Sequence, residues 1–143
     1  MERVAILDAF PSVEDYNRLR VAVGWRAYAP DVIETYLPRS LFCTCALDGG
    51  KTVGMARVIG DGGLVFYIQD VIVLPAYQGQ GIGGRLMDRV MVYLRFQTHT
   101  GSIIGLMSAK GKEPFYEKYG FTVRPTDALG AGMTMFWREE DGA

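Results

Sequence analysis

The chain is short of the residues that mark several large classes of protein. Among 143 residues there are only 2 cysteines and 1 histidine, too few for a disulfide framework or a cluster with metal-ligand spacing. Cys43 and Cys45 stand two apart, so on a strand they point the same way and are poorly placed to bridge each other. They read as two buried thiols, and no metal is expected. No apolar run approaches the length of a membrane span, and Met1-Glu2-Arg3-Val4 lacks the charged-then-apolar layout of a signal peptide. The expectation is a cytoplasmic chain without a membrane partner. Charge of one sign is also missing: 15 Lys and Arg oppose 16 Asp and Glu, for a net charge of −1. Both signs are interspersed, so there is no basic footprint for nucleic acid. Nothing reads as an interdomain linker, a repeat or a low-complexity segment. Residues 1–143 are therefore expected to form a single domain.

Glycine, by contrast, is plentiful where the chain changes character. From Gln69 to Val73 an apolar run follows one carboxylate, Asp70; it stops at Pro75, crosses Ala76-Tyr77-Gln78, and meets glycines at 79, 81, 83 and 84 before an amphipathic stretch. That order predicts strand, loop and helix. A helix start leaves backbone N–H groups without internal partners and carries the positive end of the macrodipole, so it suits a phosphate. Glycines there keep side chains away from the main chain.

Three phosphate motifs compete for the stretch. A P-loop needs Lys then Ser or Thr after its last glycine, but Arg85 and Leu86 follow Gly84. Gly79-x-Gly81-x-x-Gly84 satisfies the dinucleotide fingerprint by letter, yet the acidic residue wanted about twenty positions on is absent from Gly101 to Met107. The third is Gln-x-x-Gly-x-Gly, met by Gln78, Gly81 and Gly83. In this the chain resembles the GCN5-related N-acetyltransferases (GNAT), whose pyrophosphate loop has that form. Pro114-Phe115-Tyr116-Glu117-Lys118-Tyr119-Gly120-Phe121 is similar to a second segment of that family, Phe-Tyr-x-x-x-Gly-Phe. Together the two motifs extend the resemblance over about Val4 to Trp137.

Read in order, Val4 to Leu7 is a strand, and Ser12 caps a helix carrying Val13, Tyr16, Leu19, Arg20 and Val23 on one stripe until Gly24. A second helix begins near Pro30, with Asp31 and Glu34 in its first turn, and ends before Pro38. Leu41 to Leu47 and Thr52 to Ile59 are strands joined by a hairpin turn at Asp48-Gly49-Gly50. Leu64 to Val73 is a long strand, apolar on both faces, expected at the centre of the sheet. Ile82 to Arg95 carries Leu86, Met87, Val90, Met91 and Leu94 on one stripe of a helix. Ser102 to Met107 is a buried strand parallel to the 64–73 strand, because a strand–helix–strand crossover makes it so. A short helix runs from Pro114 to Gly120, and Phe121 to Arg124 and Met133 to Trp137 are the last two strands. The order is β-α-α-β-β-β-α-β-α-β-β, an α/β (α+β) fold with a mixed sheet of about seven strands and about four helices. It matches the acetyltransferase fold and contradicts an alternating Rossmann topology.

The resemblance implies acetyl-coenzyme A (acetyl-CoA) as cosubstrate. Its diphosphate would lie on the amides from Gln78, Gly79, Gln80, Gly81, Ile82, Gly83 and Gly84. Its pantetheine arm would pair with Val71, Ile72 and Val73, where two parallel strands part. Phe115 belongs to the second motif, and Lys110 and Lys112 stand where they meet coenzyme phosphates or simply solvent. An N–H of Val71 or Val73 would polarise the thioester carbonyl. Tyr116, at the family's acid position, would protonate the leaving thiolate; a phenol of pKa about 10 keeps its proton at neutral pH. Asp70 is the candidate base, with Glu113 or ordered water as alternatives. Trp25, Arg26 and Tyr28 lie between the two helices that shape the acceptor pocket in such enzymes.

The activity expected is transfer of an acetyl group to a primary amine of a small molecule or an amino terminus, by direct attack in a ternary complex. A non-catalytic module that binds and senses acyl-CoA is the alternative. Modification of aminoacyl-tRNA is a third reading, and the balanced charge does not favour it. The family also implies a homodimer.

Overall fold

The structure, a computed structural model, describes residues 3–138. It divides into two compact units, Met1–Leu106 and Met107–Ala143. The first holds a five-stranded sheet in the order β1-β2-β3-β4-β5. Its strands are β1 (Val4–Leu7), β2 (Phe42–Asp48), β3 (Lys51–Gly60), β4 (Val65–Val73) and β5 (Ile103–Leu106). The first four pair antiparallel, and β5 joins β4 in parallel.

Each connection has a local cause. Asp48 pairs with Lys51, so Gly49-Gly50 is a two-residue hairpin loop, with Gly49 at φ 62° as such turns require. At the next turn the Asp61 carboxylate accepts the N–H groups of Gly63, Leu64 and Val65 at 2.8 to 3.1 Å. A Cβ on Gly60 would lie 2.1 Å from the Val65 carbonyl oxygen, so the chain can cross there only as glycine. α1 (Val13–Ala22) starts at Ser12, whose hydroxyl accepts the Asp15 N–H at 3.1 Å. The Asp15 carboxylate accepts from Arg18 and from the Thr52 hydroxyl. α2 (Pro30–Tyr36) runs into a 3-10 turn at Leu37–Arg39.

α1 and α3 (Ile82–Gln97) lie on opposite faces of the sheet. Gly54 of β3 faces Leu86 of α3, while Arg57, three residues on and therefore on the other face, meets Tyr16 of α1. The α3 stripe buries Ile82, Leu86, Met87, Val90 and Leu94. Each such side chain stabilises the fold by about 1.5–3 kcal/mol.

Two expectations are corrected here. The 64–73 stretch is not the middle of the sheet: β3 is, and nearly all of it is buried, whereas β4 alternates between buried and half-buried. Among the described residues the sheet has five strands, not about seven, since neither 121–124 nor 133–137 is a strand. The β-forming residues there find no ladder partner and, at 133–137, no packed face: Met133, Met135, Phe136 and Trp137 are all more than half exposed. Propensity for a strand is realised only where both are supplied.

The second unit contains α4 (Glu113–Glu117), with Pro114 in its first turn and Gly120 beyond its end at φ 98°. Its centre is aromatic. The ring of Tyr116 meets Phe115 edge-on at 5.0 Å and Phe121 at 6.3 Å.

Candidate active site

The edge of the sheet beside β4 is where backbone is left over. β4 and β5 pair from Val65↔Ile103 to Ile68↔Leu106 and no further, yet β4 continues to Val73. Among the described residues, 69–73 therefore have no partner strand on that side. On the other side, Met55 pairs with Ile72 and Arg57 with Gln69. Asp70 and Val71 thus stand together opposite Ala56, a bulge of one extra residue. Beyond it the Leu74 N–H is donated to Val53 at 2.9 Å, which makes Val73, opposite Gly54, a residue whose own N–H and C=O point away from β3. The Val73 carbonyl accepts the side-chain amide of Gln78 at 2.9 Å. Its N–H faces the open edge.

β4 leads through a 3-10 turn at Pro75–Tyr77 into the glycines. The Tyr77 hydroxyl donates to Asp48 at 2.5 Å, and Arg3 pairs with the same carboxylate at 3.2 Å, so the turn is held from behind. Gly79 and Gly81 both sit at φ 80°, and a Cβ on either would meet nothing within 4 Å. Their need for glycine is conformational, and the space before the main chain is open. Gly81 is the N-cap of α3 with no side chain capping it, and the first helical hydrogen bond runs from Arg85 N–H to the Gly81 carbonyl at 3.1 Å. Ile82 and Gly83 lie ahead of that ladder. Gln80 is exposed. The turn therefore presents main chain rather than side chains at the start of α3.

Asp70 has a different setting from that of a base. Its side chain is fully buried, and its backbone is left-handed at φ 56°. Oδ1 accepts from Arg20 at 2.9 Å and Gln69 at 3.2 Å; Oδ2 accepts from Arg57 Nε at 2.7 Å and from the Tyr16 hydroxyl. A carboxylate whose oxygens are taken by two guanidinium groups, an amide and a phenol has no free lone pair facing the open edge, which argues against the role expected of it. Burial, then the adjacent Asp70 charge, pushes the Tyr16 hydroxyl far up, so it keeps its proton. Burial works to lower the Arg57 pKa, but the Asp70 carboxylate outweighs it and holds the guanidinium above its ordinary value. Arg57 also donates to Ser40 at 3.0 Å, and Arg20 to the Arg26 carbonyl at 2.8 Å. The Arg20 guanidinium lies over the rings of Tyr28, Trp25 and Tyr16 at 4.5, 5.6 and 5.8 Å. Trp25 and Tyr28 are thus occupied by this arginine.

In the second unit, Tyr116 is buried, and burial pushes its pKa up to about 12. It remains a proton donor throughout the neutral range. Phe115 packs on it, while Lys110 and Lys112 are exposed and Glu113 opens α4. Among the described residues no three His, Cys, Asp or Glu side chains gather as metal ligands, and no helix is long and apolar enough to cross a membrane.

The mixed sheet, with its one parallel pair ending at Ile68↔Leu106, thus leads through a bare glycine turn into α3. Residues 38–123 match the family model of the acetyltransferase (GNAT) domain. The chain is 28% identical over 135 residues to an uncharacterized N-acetyltransferase, ycf52, of Gracilaria tenuistipitata var. liui, covering 91% of this chain and 70% of the relative. It is 37% identical over 87 residues to GCN5-related N-acetyltransferase 2, chloroplastic, of Arabidopsis thaliana, covering 61% of this chain but only 31% of that protein. Among solved structures it is similar to a probable acetyltransferase from meticillin-resistant Staphylococcus aureus, at 34% identity and a TM-score of 0.86, over 94% of this chain and 99% of the other. The chain belongs to the GNAT acetyltransferase family.

Proposed function

We propose that this chain transfers the acetyl group of acetyl-CoA to a primary amine, on a small molecule or a peptide amino terminus, by direct attack. The observation that carries this reading is β4 running on from Ile68 to Val73 without a neighbour on its β5 side. Such an edge receives an extended pantetheine arm as it would an added strand. The adjoining amides from Gly79 to Gly83 suit the diphosphate. The N–H of Val73 or Val71 meets the thioester carbonyl as charge grows on it, a contribution commonly worth about 3 kcal/mol. Tyr116, which keeps its proton up to a pKa of about 12, serves as the acid for the departing thiolate. With Asp70 committed to Arg20 and Arg57, proton removal from the amine falls to ordered water or Glu113. Cys43 and Cys45 are both buried, which suits direct attack over an acetyl-enzyme.

Calorimetry with acetyl-CoA, followed by thiol release across a panel of amines, tests the reading: heat of binding and turnover with at least one amine are expected. One observation favours a second reading, a non-catalytic acyl-CoA sensor, namely that the only carboxylate of β4 is consumed by ion pairs. Binding without turnover on any amine, and no effect of Tyr116→Phe on thioester cleavage, would select it.

A further inference from the structure

The cluster around Asp70 is expensive for what a structural role requires. A non-glycine residue in the left-handed region is strained, and glycine would fill that place more easily. A buried ion pair is a weak stabiliser compared with apolar side chains of the same volume. What the arrangement supplies is definition. Four side chains from three parts of the chain, Tyr16 and Arg20 of α1, Arg57 of β3 and Gln69 of β4, converge on the one carboxylate that sits in the bulge. Their other contacts reach outward, Arg57 to Ser40 after the 3-10 turn, Arg20 to the Arg26 carbonyl and to the rings of Trp25 and Tyr28.

We infer that Tyr16, Arg20 and Arg57 are positioning residues for acyl transfer. They pin Asp70 in its left-handed bulge, and so fix the main chain from Val71 to Val73 that meets the carrier's carbonyl. Through Arg26, Trp25 and Tyr28 the same contacts register the segment between α1 and α2 against that bulge. None of the three side chains touches the reacting atoms; each acts through Asp70. The bulge places the extra residue at the point where pairing with β5 has just ended, so a slip of one residue there would turn the polarising N–H away from the open edge. The inference rests on the transferase reading above.

The test uses the full chain and acetyl-CoA labelled with 13C at the carbonyl. In the wild-type protein the infrared carbonyl band of the bound thioester is expected to lie below that of the free thioester, because the oxygen accepts a hydrogen bond. In Asp70→Asn and Arg57→Gln the band should return toward the free position, and Arg57→Lys, which keeps a cation on Asp70, should restore part of the shift. Affinity for coenzyme A should stay within about threefold, as the glycine turn is untouched, while kcat falls about a hundredfold, the scale for a misplacement of about 1 Å. An unmoved band and unmoved kcat in variants that only melt earlier would overturn the inference and leave the cluster as scaffolding. If Asp70→Asn does not fold, Tyr16→Phe removes a single hydroxyl from a carboxylate still paired twice; an unshifted band there overturns the inference equally. A wild-type protein that gives no heat with coenzyme A at all overturns the transferase reading itself, a result distinct from any of these.

Discussion

Two stretches a few residues apart in β4 and the loop after it are built on opposite terms. At Asp70 every oxygen lone pair is engaged and four side chains crowd one carboxylate. At Gly79 and Gly81 the nearest atom to a would-be Cβ lies beyond 4 Å, and no side chain caps the helix that follows. The first region is over-determined and has no spare capacity for a ligand. The second has little of its own to satisfy it and is free to receive one. Both leave glycine-type backbone angles, at 56° and 80°, but one is enforced by partners and the other only by the absence of a side chain.

The contrast predicts where substitutions register. Asp70→Ala should be the most damaging to stability, about 3–5 kcal/mol in urea denaturation, because it leaves Arg20 and Arg57 as buried unpaired charges. A loss below about 1 kcal/mol would mean water replaces the carboxylate and the region is not over-determined.

Tyr116 sharpens the comparison by adding a buried group that titrates. Its pKa is raised by burial from 10.0 to about 12. A raised folded-state value means that the unfolded chain ionises first, so its contribution is intact below about pH 10 and is lost as pH climbs to about 12. Over that window the linkage amounts to about 2–3 kcal/mol. Urea midpoints of the wild type and Tyr116→Phe, measured across pH, should keep a constant difference below pH 10 and then diverge from it, the wild type falling more steeply between about pH 10 and 12.

At the bare turn, Gly81→Ala should cost about 1–2 kcal/mol, the strain of a left-handed alanine, since its Cβ strikes nothing. The larger consequence belongs to binding: a methyl group before the open main chain should weaken coenzyme A in calorimetry. Equal affinity would show that the diphosphate does not rest there. The smallest effect is expected at the exposed Arg89–Asp8 pair, where Arg89→Ala should leave the urea midpoint almost unmoved despite a 2.5 Å contact.

The turn was legible in the sequence because its chemistry is local: Gln78, Gly81 and Gly83 announce a helix entry that keeps its amides bare. So was the stripe of α3, where Leu86, Val90 and Leu94 repeat at the helical period. The partners of Asp70 were not, since Arg20 lies 50 residues away and Arg57 13. Yet a signal existed. Arg20 falls on the apolar stripe of its helix with Tyr16 and Leu19, and Arg57 interrupts an apolar strand. Two cations and one anion on faces that must be buried have to meet, because an unpaired buried charge is not tolerated. The missing strands at 121–124 and 133–137 fail for the converse reason: alternation is visible in sequence, but the neighbour that a strand needs is not.

The two thiols on β2 carry a practical corollary. Cys43 and Cys45 are 4% and 3% exposed, and Cys45 donates to the Ala9 carbonyl at 3.3 Å. The hydrogen bond to Cys45, then burial, pushes the Cys43 thiol up, while the same hydrogen bond draws the Cys45 thiol down; burial keeps both out of reach of aromatic disulfide reagents. A colorimetric dye that reports free sulfhydryl should therefore meet a silent protein background, and a slow rise in that background would itself be a clock for the sheet coming apart.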